Sequence, residues 1–466
     1  MLGKKELSLN KTILFNFLSV FLIQGIVFLT APIFSRMLGT FNFGVYSAFS
    51  AWQSIFIIIF PLSVASTIGI AVNEFPKNEQ HAYHSSILTL GIISTAAFSV
   101  LILLFWKTAA KLMKMDFAML IFLLGSTLFT FIVNFANTRY TFELKADKNF
   151  VLAIGSTVLT VCLSIALILL FPKEINYWGR IIGSFIGFAI TGIIAAAFIY
   201  KDGGTILNSN YIKFCMPLSI PVIFHALSNV ILNQSDRIML QNMSNNSIVG
   251  IYSLAYNFTT ILTAIYSAMN NSWVPFYYRY LGENDEESLQ YHADNYITLY
   301  SLISVGFLLV FKEVYFVFAD RTYWDGITII PHLVIGFFFM FIYSFAVNYE
   351  FYLKKTKSMA MITTTAAILN LVLNYILIKQ YSFIGAALAT LISYVFEFVA
   401  HYVYVLKVSD GKFPFKAAFF IKPLIILATG TVAYYLLDSM VLVRWAFAIL
   451  VGFYILYSMY RRKAIF

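Results

Sequence analysis

An all-α, polytopic membrane fold is what this sequence predicts, and three observations predict it. Sixty per cent of its 466 residues are hydrophobic and only 11% are Asp, Glu, Lys or Arg, where soluble domains carry about 25% charged residues. The apolar residues come in blocks of roughly 17–25, the length that crosses a bilayer as a helix. Nearly all the charge falls in short clusters between those blocks. One soluble core would not bury so much apolar side chain, since single cores stop growing near about 250–300 residues. Lipid admits only helices and closed barrels, and barrel strands would read as short alternating segments.

About 14 spans are expected, near 12–34, 43–69, 84–106, 117–140, 149–171, 177–199, 214–236, 247–272, 291–311, 327–348, 358–378, 382–406, 416–437 and 441–460. The first follows Lys4, Lys5 and Lys11, as a signal peptide would. It is too long for such a segment and lacks a small-residue cleavage site, so it reads as a retained span. The longest polar stretch, about 276–290 with its GENDEES run, is only a loop. With the N-terminus inside, the cytoplasmic segments hold about 19 basic residues against 11 outside, which favours both termini in the cytoplasm. Lys107, Lys111 and Lys114 run against that rule.

The net charge of +10 and pI of about 9.2 belong to these cytoplasmic loops. No long Lys/Arg run marks a nucleic-acid partner. Cys162 and Cys215 form neither a metal-ligand spacing nor a disulfide framework, and read as packing residues. No phosphate-cradling G-x-x-x-x-G-K-[ST], H-E-x-x-H or nucleophile elbow is present. No enzyme activity, metal or cofactor is therefore expected. The high tyrosine and phenylalanine content fits interfacial belts and packing.

An internal repeat divides the chain. Residues 32–49, PIFSRMLGTFNFGVYSAF, match 233–256, NQSDRIMLQNMSNNSIVGIYSLAY. Arg36 falls on Arg237, Gly44 on Gly250, and Tyr46-Ser47 on Tyr252-Ser253. Later, YTFELKADK at 140–148 matches YEFYLKKTK at 349–357, with Leu144-Lys145 against Leu353-Lys354. The period of about 200–210 residues spans six helices, so both halves share one orientation about an axis along the membrane normal. The expected division is an N-lobe at 1–203, a C-lobe at 204–410 and two extra helices at 411–466. Parallel lobes are transporter architecture, with the substrate path between them and alternating access by rocking.

These motifs, P-x-x-S-R-M-L-G and F-G-V-Y-S at the first span, and Ser235-Asp236-Arg237-Ile238-Met239-Leu240 and Val249-Gly250-Ile251-Tyr252-Ser253 at the seventh, resemble a known family. Trp273-Val274-Pro275-Phe276, Leu369-Asn370-Leu371-Val372-Leu373-Asn374 and Gly385-Ala386-Ala387-Leu388-Ala389-Thr390 are similar to it too. It is the family of polysaccharide and lipid-linked oligosaccharide flippases, Wzx-like, of the multidrug/oligosaccharidyl-lipid/polysaccharide (MOP) exporter superfamily. The resemblance covers the first twelve spans in order. It implies an undecaprenyl-pyrophosphate-linked oligosaccharide as cargo, moved from inner to outer leaflet of a bacterial cytoplasmic membrane for O-antigen or capsule assembly. It also implies a monomer among membrane lipids, beside polysaccharide polymerase components, coupled to a proton or sodium.

A flipped pyrophosphate calls for arginine, whose planar fork grips phosphate with paired hydrogen bonds. Arg36 and Arg237, at equivalent places, and Arg139 are the candidates. The competing reading of the first two is an interfacial arginine snorkelling, or Arg237 paired with Asp236. Glu397 and His401 share a helix face at i, i+4. They are a proton-coupling or substrate contact, or else a mutually satisfied pair. His225 either lines the cavity or packs with a local hydrogen bond. Some relatives hold sodium in the second lobe, and Asn233, Asn370, Asn374 and Thr390 could supply oxygens, without an accompanying carboxylate. Helix–helix hydrogen bonding is the alternative. The rival functions are an ion-coupled small-molecule or multidrug exporter of the same superfamily, which commonly has twelve helices, and a membrane polysaccharide polymerase. The short external loops speak against the polymerase.

Overall fold

A computed structural model describes the backbone of residues 2–204 and 206–462, and the side chains of Leu22, of 25–457 apart from 205, and of Tyr460. Lys4, Lys5, Lys11, Arg461, Arg462 and Lys463 of the charge tally lie outside the described side chains. In chain order the helices are α1 (Leu2–Ile59), α2 (Ile68–Glu74), α3 (Lys77–Leu104), α4 (Trp106–Met113), α5 (Phe117–Phe142), α6 (Ala146–Ile168), α7 (Tyr177–Gly203), α8 (Ser209–Met243), α9 (Asn246–Thr259), α10 (Ile261–Glu283), α11 (Glu286–Phe318), α12 (Ile330–Tyr352), α13 (Thr356–Val408), α14 (Ala417–Leu436) and α15 (Val441–Arg462). Turns of 3-10 helix lie at Val64–Thr67 and Arg321–Ile329. Every described element is helical, as the composition requires.

Eleven of the described helical segments are long and apolar enough to cross a membrane, with α9 and α10 counted as one. Two are each a pair: α1 breaks at Gly39 (φ 67, ψ 173) and α13 at Ser382 (φ 53, ψ −133). Dividing these and adding the shorter apolar run Val441–Tyr457 locates all 14 expected spans. Many side chains on these helices remain exposed and apolar, such as Leu169, Leu170, Ile193 and Leu442. That is the surface a lipid-facing helix presents.

The chain forms two compact units, Met1–Gly250 and Ile251–Phe466. In the first, Val64, Ile68, Tyr83, Ile87, Phe131, Phe135 and Cys215 build one core cluster around the interruption after α1. Phe49, Phe56, Phe60, Met119, Leu120 and Ile181 build another. Thr67 Oγ1 and Tyr83 Oη meet at 2.7 Å inside the first cluster, which satisfies both hydroxyls. Cys215 is buried there, while Cys162 is exposed on α6 rather than packed. Gly179, Gly183 and Gly187 let α7 lie directly on α6: a Cβ on each would come within 2.4–2.5 Å of Ile168, Ser164 and Thr160. Such small-residue stripes bring membrane helices together where no hydrophobic effect does.

A second close crossing joins α1 to the start of α9. A Cβ on Gly44 would fall 1.7 Å from the carbonyl oxygen of Asn246, and one on Gly250 would fall 2.0 Å from that of Thr40. Thr40 and Asn246 have the same spacing in the repeat as Gly44 and Gly250, so the contact is reciprocal. A self-complementary contact of this kind is what a local two-fold relation produces. The repeat match at 140–148 needs moving by one residue. Leu144 (φ 56) and Lys354 (φ 58) are the equivalent left-handed positions, each followed by a residue whose N–H reaches back 2.9 Å to Tyr140 or Glu350.

Lys107 and Lys111 ride on the short amphipathic helix α4, and Lys114 is its left-handed cap. Lys114 Nζ donates to the carbonyls of Gln241 (2.7 Å) and Asn242 (3.3 Å) in the last turn of α8. One of the lysines that defies the charge rule thus neutralises a helix C-terminus.

The second unit is built on aromatic packing. Tyr300 stacks on Phe341 at 4.1 Å, Trp273 on Tyr296 at 5.2 Å, and Phe345 meets Phe415, Phe419 and Phe420. Arg444, fully buried, ties α15 to Glu313 of α11, and Lys312 meets Asp438 at 2.6 Å.

Candidate functional site

Five of the candidate residues, Arg36, Arg139, His225, Asn233 and Arg237, lie in the first unit. Arg36 is exposed on α1, three residues before the break at Gly39. Arg237 is buried on α8, where Nη1 donates to the Asn233 carbonyl and to Gln234 Oε1, both at 2.8 Å. Asp236 beside it is fully buried. His225 is half-buried, one turn from Asn229, whose Nδ2 lies 3.3 Å from His225 Nε2. Asn233 donates to the Asn229 carbonyl at 2.7 Å, continuing a polar line along α8.

Arg139 sits in the last turn of α5. It is fully buried, with Nε 2.6 Å from Glu143 Oε1 and Nη2 2.6 Å from Asp202 Oδ2. Nη2 is also 3.0 Å from His81 Nδ1. Glu143 gathers Lys145 at 2.6 Å and His84 at 3.5 Å as well. Burial alone would push the Glu143 carboxyl up. The adjoining His84, Lys145 and Arg139 outweigh it and hold the carboxyl well below the usual carboxylate range. His81, His84 and Glu143 bring three ligand atoms within 4.8 Å of one another. A metal ion there would meet the guanidinium of Arg139, which already holds the cationic position among them. The arrangement ties the ends of α3, α5 and α7 together.

In the second unit the expected Glu397–His401 partnership is replaced. His401 Nδ1 lies 2.6 Å from Glu350 Oε1, a residue of α12, and both are buried. The Tyr343 ring stacks on the His401 imidazole at 5.7 Å. Glu397, one turn earlier on α13, is 2% exposed and makes no ion pair among the described residues. Tyr266 and Tyr343 are its electrostatic neighbours. A carboxyl so placed is chemically able to hold a proton or a monovalent cation. Asn374 Nδ2 donates to Asn370 Oδ1 at 2.9 Å, and Thr390 Oγ1 donates to the Ala386 carbonyl at 3.2 Å. Asn370, Asn374 and Thr390 all belong to the second unit, and Asn233 to the first.

Sequence reasoning missed Glu143 and Glu350. Both stand in the repeat segments, and an acidic residue at the end of an apolar span was the available signal.

Comparison with known proteins places this fold. A family model described as "Polysaccharide biosynthesis protein" matches residues 9–281. Among solved structures, an inward-facing multidrug resistance MATE family transporter of the MOP superfamily aligns with a TM-score of 0.67 at 14% identity. That alignment covers 84% of this chain and 95% of the other. The lipid II flippase MurJ, in an inward closed conformation, aligns at 0.64 and 18% identity over 94% of this chain and 99% of its own. A Vibrio cholerae MATE transporter in its bent form aligns at 0.51 and 17% identity, over 87% and 96%. No curated protein sequence matches significantly. At these identities the solved structures speak to fold alone, and the fold is the one these transporters share.

Proposed function

The chain belongs to the polysaccharide biosynthesis protein family, and from that premise we propose that it flips undecaprenyl-pyrophosphate-linked oligosaccharide from the inner to the outer leaflet of a bacterial cytoplasmic membrane. The family match over 9–281 carries this reading. The likeness to MurJ supports it, because that protein is a lipid II flippase. In this proposal the lobes are 1–203 and 204–410, both termini are cytoplasmic, and 411–466 forms α14 and α15. Arg36 and Arg237 serve the anion, and Glu397 is the group available to a coupling ion. A capsule or O-antigen repeat unit is the proposed cargo.

The ion-coupled exporter reading has one observation in its favour, the TM-score of 0.67 to a MATE transporter. Coverage favours the lipid cargo: the MurJ alignment takes in 94% of this chain, against 84% for that transporter. The deciding experiment supplies the full-length protein in vesicles with labelled lipid-linked oligosaccharide and, separately, with a cationic dye. Transfer of the oligosaccharide to the opposite leaflet is the expected outcome. Dye export with no oligosaccharide transfer would hand the chain to the exporter reading.

A further inference from the structure

In the first unit a guanidinium rests on two aromatic rings with no ion pair among the described residues. Arg180, at the start of α7, has its Cζ 3.7 Å from the Phe34 ring centroid and 4.9 Å from that of Tyr46. Phe34 lies on the arm of α1 before Gly39 and Tyr46 on the arm after it, so the break in α1 turns both rings toward one cation. That corner is fixed by side-chain amides. Asn42 Nδ2 donates to the Lys173 carbonyl (2.7 Å) and to Asn176 Oδ1 (2.9 Å), and Asn176 Nδ2 donates to the Met37 carbonyl (2.8 Å).

Two buried arginines meet carboxylates: Arg139 meets Glu143 and Asp202, and Arg444 meets Glu313. Arg180 makes no ion pair among the described residues, and its Nη1 is closed off from solvent without an acceptor. The residue as a whole is half-buried. Aromatic rings engage the flat face of a guanidinium, whereas its N–H groups lie in its plane. Stacking therefore does not consume the N–H groups, which are the ones arginine uses to take phosphate oxygens. Ser184, one turn along α7 on the same face, has its hydroxyl 3.5 Å from that of Tyr46. Two hydroxyls thus stand beside the unspent cation.

We propose that Arg180, seated on Phe34 and Tyr46 with Ser184 beside it, is a phosphate-recognition point that takes the pyrophosphate of the lipid-linked cargo. This rests on the flippase reading above. Full-length protein in phosphatidylcholine nanodiscs is titrated with undecaprenyl pyrophosphate and, in a parallel arm, with phosphatidylglycerol, and binding is read by native mass spectrometry. Arg180→Ala is expected to weaken undecaprenyl pyrophosphate binding about ten-fold or more, since it removes paired charge-assisted hydrogen bonds. Arg180→Lys, which keeps charge without the fork, falls between. Arg180→Met keeps the stem on the rings and covers the case in which alanine fails to fold. Phosphatidylglycerol binding stays unchanged in all three. Equal loss in both arms would mean a general lipid-headgroup contact and overturn the cargo assignment. Undecaprenyl pyrophosphate binding by Arg180→Ala within two-fold of wild type would overturn Arg180 alone. A wild-type protein that binds no undecaprenyl pyrophosphate would overturn the flippase reading and this inference together.

Discussion

Replacing Arg139 with alanine removes the cation around which Glu143, Asp202 and His81 are gathered. The guanidinium is fully buried and Glu143 is 8% exposed, so the carboxylate left behind cannot simply hydrate. Breaking a buried pair from one side costs about 3–5 kcal/mol. Lys145 still reaches Glu143 at 2.6 Å from a 37% exposed position, and Asp202 is 41% exposed, so the lower end applies, about 3 kcal/mol. For a unit of this size that corresponds to a melting point lower by about 6–12 °C. The assay is thermal unfolding of the full-length protein in detergent, followed by tryptophan fluorescence, with transport measured per folded molecule. Arg139→Met combined with Glu143→Leu removes both charges and should recover most of the loss, because apolar replacement of a buried pair is close to neutral. Acid supplies a second handle. Glu143 is depressed in the folded state, so its stabilising share is fully present above the unfolded value of about 4.3 and fades as pH falls toward the folded one. Stability should decline below about pH 5 in wild type and less steeply in Glu143→Gln. An Arg139→Ala protein that melts within 1 °C of wild type yet moves no cargo would refute the structural role and return Arg139 to the cargo site.

Three further outcomes are expected. Gly44→Ala and Gly250→Ala each drive a methyl group into a backbone carbonyl and should cost at least about 1–3 kcal/mol, seen as lost monodisperse protein in size-exclusion chromatography; normal yields would contradict the crossing. Ser382→Gly relieves a φ of 53 and ψ of −133 that suits only glycine and should raise the melting point by the equivalent of about 1 kcal/mol, whereas a lower melting point would mean the side chain is needed there. Glu350→Ala leaves His401 buried opposite an empty place and should destabilise by about 3 kcal/mol in the same melting assay, while Glu350→Gln, which keeps a hydrogen-bonding group, should cost less.

Span number, helical class and the repeat were readable because each depends on local pattern. Apolar runs set length, and Gly44 and Gly250 recur with the same neighbours. The ends of helices and the partners of charges were not. Glu397 and His401 share a face at i, i+4, but Glu350, 51 residues before His401, is closer to the imidazole than any residue on its own helix could signal. Arg139 looked like Arg36 in sequence, an arginine near the end of an apolar span, yet Arg139 is buried against Glu143 and Asp202 while Arg36 is exposed. Lys114 runs against the orientation rule, and its partner at the end of α8 lies 127 residues away. In each instance the deciding partner is distant in the chain, where periodicity carries no information.

The crossing of α1 and α9 constrains how this protein can change. An oversized core side chain is ordinarily accommodated by trimming its neighbour. At Gly44 the neighbour is the carbonyl of Asn246, and at Gly250 it is that of Thr40. Every amino acid carries that oxygen, so no substitution at 40 or 246 can clear room for a methyl group. A genetic selection for suppressors of Gly44→Ala should return reversion, or changes that shift a whole helix, and no compensating side chain at the point of contact. Two positions about two hundred residues apart in the chain are thereby held to the smallest residue by the one part of the polypeptide that mutation leaves untouched.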